Sequence, residues 1–326
     1  MILLTPNRHD GARQSPCAVL LFGAGMVGSA ISTQLQQSGS LDSTFMSLDW
    51  QRTDLFADQL LAIEARLTEI LSERPQASNR ASGLHFIWCA GQAGFYSTEE
   101  QVSCELKRYQ DVLQTIERIV DQHPDIPAKM VLMSSAGGLF EGQRGVRVDS
   151  IPAPSRPYSR LKLVQEELLL GSRANLRREI YRLTSVYGYI RAHQRRGLIP
   201  TLVANGLCQR PCQITGYSTT IRDYVWIEDV ADYVSRRVMS GASTDRDCVE
   251  ILASGKPSSI LEIQQIVENT ISRPLSLRYS LDTANGDTMS FDAGVLPEGW
   301  HSSELSTNIR KIAIDALHRQ TLFLGL

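Results

Sequence analysis

The most constraining feature of this chain is a turn. The apolar run Ala18-Val19-Leu20-Leu21-Phe22 leads directly into Gly23-Ala24-Gly25-Met26-Val27-Gly28, after which Ile31 and Leu35 continue at helical spacing. An uninterrupted apolar run of this length suits a strand buried on both faces, as in a parallel sheet. Glycines in the order Gly-x-Gly-x-x-Gly let the strand turn sharply, bring the backbone close to a ligand and let the helix pack against the strand. The helix N-terminus then offers free N–H groups and partial positive charge, which suit a phosphate. Asp49 follows Gly28 by 21 residues, at the expected end of a second strand closing on Leu48-Asp49. A carboxylate there accepts hydrogen bonds from an adenosine ribose. It also repels a 2′-phosphate, favouring NAD over NADP, while Arg52 nearby works against that preference.

The alternation continues along the chain. Residues 54–72 read as an amphipathic helix, Leu84-His85-Phe86-Ile87-Trp88-Cys89 as a strand stopped by Gly91 and Gly94, and 98–121 as a long helix. Met130-Val131-Leu132-Met133 reads as a strand ending in Ser134-Ser135-Ala136-Gly137-Gly138. A helix follows Pro157, and Ile180-Tyr181-Arg182-Leu183-Thr184 is a further strand. Strands alternating with helices imply a parallel sheet with right-handed crossovers. The expected class is α/β: a Rossmann-type doubly wound parallel sheet with a smaller C-terminal α/β substrate-binding domain. The expected division is a flexible leader over 1–16, a dinucleotide-binding domain over 17–188 with a return segment near 220–240, and a mainly substrate-binding part over 189–326. Between Asp49 and Leu84 no third strand is evident.

Composition narrows the function classes. With 42% hydrophobic and 21% charged residues, 326 residues can fill a sizeable core. A net charge of −2 without long runs of one sign does not suggest a nucleic-acid surface. The six cysteines are scattered, and Cys208 with Cys212 lacks a second pair at zinc-like spacing. Free thiols and no metal are therefore expected. Met1-Ile2-Leu3-Leu4 is too short for a signal-peptide core, and no span suits a transmembrane helix. The expectation is a cytoplasmic protein without a membrane partner.

Tyr158-Ser159-Arg160-Leu161-Lys162 puts a phenol and an ammonium one helical turn apart, the one Tyr-x-x-x-Lys spacing in the chain. A tyrosine of ordinary pKa, near 10, is a poor base at neutral pH. A nearby lysine stabilises the phenolate and makes it a better one. A serine at the preceding strand end, Ser135 or Ser134, can hydrogen-bond the oxygen whose proton the tyrosine moves. The ordinary alternatives are an exposed Tyr/Lys pair on a helix and serines that satisfy loop backbone.

Taken together, these residues resemble the extended short-chain dehydrogenase/reductase family, in particular its NAD-dependent nucleotide-sugar epimerase/dehydratase branch. The resemblance rests on Gly23 to Gly28, Ser134 to Gly138, Tyr158 with Lys162, Arg182-Leu183-Thr184-Ser185-Val186-Tyr187-Gly188, and Arg222-Asp223-Tyr224-Val225-Trp226-Ile227-Glu228-Asp229-Val230-Ala231. It implies that Tyr158 is the acid/base, that Lys162 tunes it and orients the nicotinamide ribose, and that Ser135 contacts the reacting oxygen, with Ser134 beside it. Arg222 would pair with the substrate diphosphate, as a guanidinium fork suits it. Asp223, Glu228, Asp229 and Arg182 would serve structure. The cofactor would rest on Gly23, Gly25, Met26, Val27, Gly28, Asp49, Trp50, Cys89, Ala90, Gly91, Tyr158 and Lys162.

The departures are specific. Phe22 stands where the family usually has Gly, and Glu105 stands where it has a helical Asn. A 4,6-dehydratase carries Asp-Glu after the catalytic hydroxyl, whereas Ala136-Gly137 follows Ser135 here. The resemblance therefore implies an NAD-dependent nucleotide-sugar 4-epimerase working through a 4-keto intermediate, in surface-polysaccharide sugar biosynthesis and as a homodimer. The alternatives are an NAD(P)H-dependent reductase of a nucleotide 4-keto-6-deoxy sugar and a non-catalytic dinucleotide-binding sensor or scaffold. The presence of both Tyr158 and Lys162 speaks against the last.

Overall fold

A computed structural model describes residues 1–6, 18–37, 41–72, 83–191, 197–240, 246–280 and 288–324, with side chains to 319 in the last stretch. In chain order, the first half forms β1 (Ile2–Pro6), β2 (Ala18–Phe22), α1 (Met26–Gln37), β3 (Leu41–Phe45), α2 (Thr53–Ser72), β4 (Leu84–Trp88), α3 (Glu99–Gln122), β5 (Ala128–Ser135), α4 (Ala136–Leu139), α5 (Pro157–Leu170) and β6 (Leu176–Leu183). Then come β7 (Ser185–Tyr187), α6 (Leu198–Leu207), β8 (Cys212–Thr215), β9 (Ile221–Arg222), β10 (Tyr224–Trp226), α7 (Ile227–Met239), β11 (Cys248–Leu252), β12 (Ser258–Ser259), α8 (Ile260–Ile271), β13 (Leu277–Ser280) and α9 (Leu305–Leu324).

Seven strands make one sheet in the order β11-β6-β5-β4-β2-β1-β3. Strands β2, β4 and β5 pair in parallel, with Phe22 opposite Trp88 and Trp88 opposite Leu132. Every residue of these three strands is buried, which is why they read as continuous apolar runs. This is the Rossmann-type α/β architecture. Helix α2 buries Phe56, Leu60, Ile63, Leu67 and Leu71, a stripe at helical spacing. Helix α3 starts at a capping box: Thr98 Oγ1 accepts from Gln101 N–H, and Gln101 Oε1 accepts from Thr98 N–H. Pro157 opens α5, where its missing N–H costs nothing.

Two findings differ from the sequence reading. The stretch expected to be a flexible leader contributes β1, which pairs antiparallel with both β2 and β3. A loose leader would leave Leu3 and Leu4 in water; as a strand they are buried. Residues 7–16 of that stretch lie outside the described residues. The second difference concerns β3, which ends at Phe45 rather than at Leu48-Asp49, so Asp49 lies in the turn before α2.

The chain divides into two compact units. One holds Met1–Leu139, Pro154–Arg182 and Ala231–Glu250; the other holds Phe140–Ala153, Leu183–Val230 and Ile251–Leu326. The first contains most of the large sheet, and its core gathers Leu20, Phe22, Phe86, Trp88, Tyr109, Ile116 and Leu132. The second is built on small pairings: β7 parallel with β10, β8 parallel with β13, and β9 antiparallel with β12.

Candidate active site

The glycine turn at the end of β2 is dictated by contact. Gly23 has φ +97°, and a Cβ there would lie 2.5 Å from Ala90 N and Cα. A Cβ on Gly28 would stand 1.9 Å from the Gly23 carbonyl oxygen, so the first turn of α1 can pack on the loop only through glycine. Gly25 differs, because nothing lies within 4 Å of where its Cβ would be. That open space, beside the N-terminus of α1 at Met26 and Val27, fits the pyrophosphate of a dinucleotide. Phe22, where the resemblance expects Gly, is the last residue of β2. Its ring packs 6.2 Å from that of Trp88 and spends the position on core.

The segments after β3 and β4 wall the same end of the sheet, and α3 holds both. Glu105 Oε2 accepts from Gln92 N–H at 3.0 Å and Ala93 N–H at 2.9 Å. A Cβ on Gly91 would come within 2.6 Å of Glu105 Oε1, so Gly91 lets this carboxylate in. Arg108, 8% exposed, donates to the Trp50 carbonyl at 3.1 Å, the Gln51 carbonyl at 3.2 Å and Thr53 Oγ1 at 3.0 Å. Trp50 meanwhile packs against Trp88 at 5.9 Å.

Asp49 is more committed than its expected ribose role suggests. Its Oδ1 accepts from Gln51 N–H at 3.0 Å and Arg52 N–H at 3.1 Å, and Oδ2 lies 3.5 Å from Arg52 Nε. Those Arg52 and Gln51 N–H groups, above all, hold its carboxyl below the usual range. A carboxylate that accepts two N–H groups in the turn before α2 keeps its charge and shares it with Arg52.

At the end of β5, Lys162 is 6% exposed. Its Nζ donates to Gln165 Oε1 at 3.1 Å, and at 3.5 Å to the Met133 carbonyl. It sits 5.9 Å from the centre of the Tyr158 ring. Both acceptors are neutral, so no carboxylate among the described residues cancels the ammonium charge at ion-pair distance. The charge is also felt at Cys89, where burial pushes the thiol up to about 12 and Lys162 opposes the shift. Ser135 Oγ accepts from Gly138 N–H at 3.1 Å. A Cβ on Gly138 would sit 3.1 Å from Ser159 Oγ and 3.5 Å from Ser135 Oγ, so Gly138 lets the β5 end meet the start of α5. On the outer side the Phe95 ring lies 5.8 Å from that of Tyr158, and the Arg156 guanidinium lies 5.2 Å from Phe95.

Of the expected site residues, Ser135, Tyr158 and Lys162 thus gather at the end of β5 and the start of α5. Ser134 is drawn away: its hydroxyl donates to Glu166 Oε1 at 2.5 Å, and Glu166 pairs with Arg182 at 2.7 Å. Arg222 belongs to the second unit, on β9. Beside it Asp223 is fully buried and accepts from Thr184, Ser254 and Gly255. Asp229 holds Ser303 through its N–H and hydroxyl. Sequence reasoning missed Arg108 and Gln165. Arg108 reads as one more polar residue on an amphipathic helix, and Gln165 carries no motif. Among the described residues no cluster of His, Cys, Asp or Glu could hold a metal, and no helix is long and apolar enough to cross a membrane.

The chain belongs to the NAD dependent epimerase/dehydratase family, whose model matches residues 19–242. Comparison with curated proteins yields no match. Among solved structures, the chain is similar to MoeE5 in complex with UDP-glucuronic acid and NAD, at 21% identity and TM-score 0.71, over 93% of this chain and 99% of that one. It is also similar to the UDP-glucose 4-epimerase of Thermus thermophilus in complex with NAD, at 18% identity and TM-score 0.71, over 92% and 98%. A third is RMD from Pseudomonas aeruginosa complexed with NADPH, at 16% identity and TM-score 0.68, over 92% and 99%. At these identities the likeness is one of fold.

Proposed function

We propose that this protein is an NAD-dependent nucleotide-sugar 4-epimerase. The observation that carries the reading is the buried Lys162 ammonium, held by neutral acceptors beside the Tyr158 ring. Its uncancelled charge stabilises a phenolate and so fits Tyr158 to take the proton of a sugar hydroxyl and to return it. Ser135, at the strand end, would hold the oxygen that loses that proton. Bound NAD would supply the hydride acceptor and, in the return step, the donor. Gly23, Gly25, Gly28, Met26 and Val27 would hold its pyrophosphate, Asp49 its adenosine ribose, and Cys89, Ala90 and Gly91 the facing wall. Arg222, in the unit we assign to substrate binding, would pair with the diphosphate.

Epimerisation removes a proton from the C4 hydroxyl and a hydride from C4, then returns the hydride to the opposite face of C4 and the proton to the oxygen, so the residues need no further acid or base. That agrees with Ala136-Gly137 after Ser135, since expulsion of water calls for a second acid/base pair there. A second reading, reduction of a 4-keto-6-deoxy sugar with NADPH, is favoured by one contact. Arg52 pairs with Asp49 and brings a cation beside the ribose carboxylate. The absorbance of the acid-released cofactor separates the two. Stoichiometric NAD carried through purification supports the epimerase; a protein that purifies empty and oxidises added NADPH only with a 4-keto sugar supports the reductase. The homodimer belongs to the same reading, through α3 and α5, beside which Gln110, Gln114, Glu117 and Leu168 line a groove of about 450 Å³. Light scattering tests it.

A further inference from the structure

Gln165 lies one turn beyond Lys162 on α5 and is fully buried. Its Oε1 accepts from Lys162 Nζ at 3.1 Å. Its backbone carbonyl accepts from the Tyr109 hydroxyl, also at 3.1 Å, which ties this turn of α5 to α3. Its Nε2, however, is buried without an acceptor among the described residues. A buried amide that leaves a donor unpaired is a costly choice at an interior helix position, where leucine or alanine would cost nothing of the kind. What the amide does through its oxygen accounts for its presence.

A carboxylate of the same shape would grip the ammonium harder, but would cancel the charge that the phenol needs. The carboxylate one residue on, Glu166, is committed elsewhere, to Arg182 and Ser134. We propose that Gln165 is a positioning residue for the acid/base pair: its amide oxygen fixes the Lys162 ammonium beside Tyr158 without neutralising it. The inference rests on Tyr158 and Lys162 being that pair, and it concerns what makes the pair work.

Among the described residues, Cys89 after β4 feels the Lys162 charge, Tyr109 on α3 donates to the Gln165 carbonyl, and Glu166 pairs with Arg182 of β6. At the start of α5 stand Arg156 and the Arg160–Glu99 ion pair. Burial pushes both Cys89 and Tyr109 upward, so neither gains charge in the neutral range.

The test is Gln165→Glu, nearly isosteric, with Gln165→Met as the uncharged control. In the intact protein, tyrosinate absorbance is titrated in each variant with and without Tyr158→Phe, so that the Tyr158 contribution is isolated. The pH profile of kcat is measured in parallel. In Gln165→Glu the new carboxylate offsets the ammonium, so the tyrosinate titration and the rising limb of the kcat profile both move to higher pH. At neutral pH the rate falls about tenfold with KM little changed. In Gln165→Met the midpoint moves less than in Gln165→Glu. Superimposable titrations for wild type and Gln165→Glu would overturn the proposal, as would equal losses in both variants with unmoved midpoints. The absorbance titration needs no substrate. If the wild type turns over no nucleotide sugar, the epimerase reading fails while a shifted titration still supports the role of Gln165.

Discussion

Glu105 and Arg108 stand one turn apart on α3 and grip backbone of opposite polarity. Glu105 takes two N–H groups from the loop after β4, and Arg108 gives to two carbonyls of the loop after β3 and to the Thr53 hydroxyl that opens α2. The two loops that wall the proposed dinucleotide site are thereby fixed from one rigid helix. Hydrogen bonds to charged groups are the stronger kind, each contributing about 1.5–3 kcal/mol. Arg108→Met is expected to lower unfolding stability by about 2–4 kcal/mol and to weaken NAD binding. Urea unfolding and titration calorimetry check the two effects separately. An unchanged denaturation midpoint would mean that the loops stand without this strut.

The glycine turn yields a contrast between neighbours. Gly28→Ala drives a methyl group into the Gly23 carbonyl, so the turn must open. It is expected to cost about 3 kcal/mol, the upper end of what overpacking of a tight site typically costs. Gly25→Ala meets open space and has little effect on the fold, yet it fills the volume assigned to the pyrophosphate. Thermal unfolding of both proteins and calorimetry of Gly25→Ala with NAD are the measurements. Tight NAD binding by a well-folded Gly25→Ala would move the pyrophosphate out of this turn.

Tyr158→Phe keeps the ring against Phe95 and removes only the hydroxyl. The expectation is a fall in kcat of about 10²–10⁴-fold, the usual range for losing a positioned acid/base, with NAD affinity and unfolding midpoint close to wild type. Full activity in this variant would remove Tyr158 from the chemistry.

His85, on β4, is 3% exposed. Burial first, and then the charges of Lys129 and Arg177, push its imidazole down to about 3. In the unfolded chain it takes up a proton at an ordinary value near 6.5. As pH falls below that value the unfolded state binds the proton and the folded state does not, so stability declines until about pH 3. The decline is at most about 1.4 kcal/mol per pH unit. Urea midpoints at about pH 7 and pH 5 should fall more steeply for wild type than for His85→Leu. Parallel declines would show that acid sensitivity comes from other groups.

Much of the fold is legible because parallel strands buried on both faces announce themselves: β2, β4 and β5 are apolar runs bounded by glycine or serine. Legibility fails where tertiary pairing decides the outcome. Within Ile2–Pro6 the apolar run stops at Leu4 and no glycine turn and helix follow it, and only its place between β2 and β3 makes it a strand. The end of β3 is misplaced by pattern because Asp49 reads as a strand-end carboxylate, although its side chain closes the turn before α2. In the candidate site, Tyr158, Lys162 and Ser135 follow from spacing and order. The diversion of Ser134 to Glu166 does not, because Glu166 and Arg182 lie far along the chain and meet only across α5 and β6. Arg108 and Gln165 stay hidden for the same reason, since their partners are backbone groups or a side chain brought near by packing.

The most direct test of the central claim is proton NMR of the purified protein in D₂O with UDP-, dTDP- and GDP-sugars, following C4. An epimerase that returns the same hydride is expected to produce the C4 epimer of one of them, with no deuterium at C4 and no net consumption of NADH or NADPH. Absence of any C4 epimer, with stoichiometric oxidation of NADPH on a 4-keto sugar instead, would contradict the account.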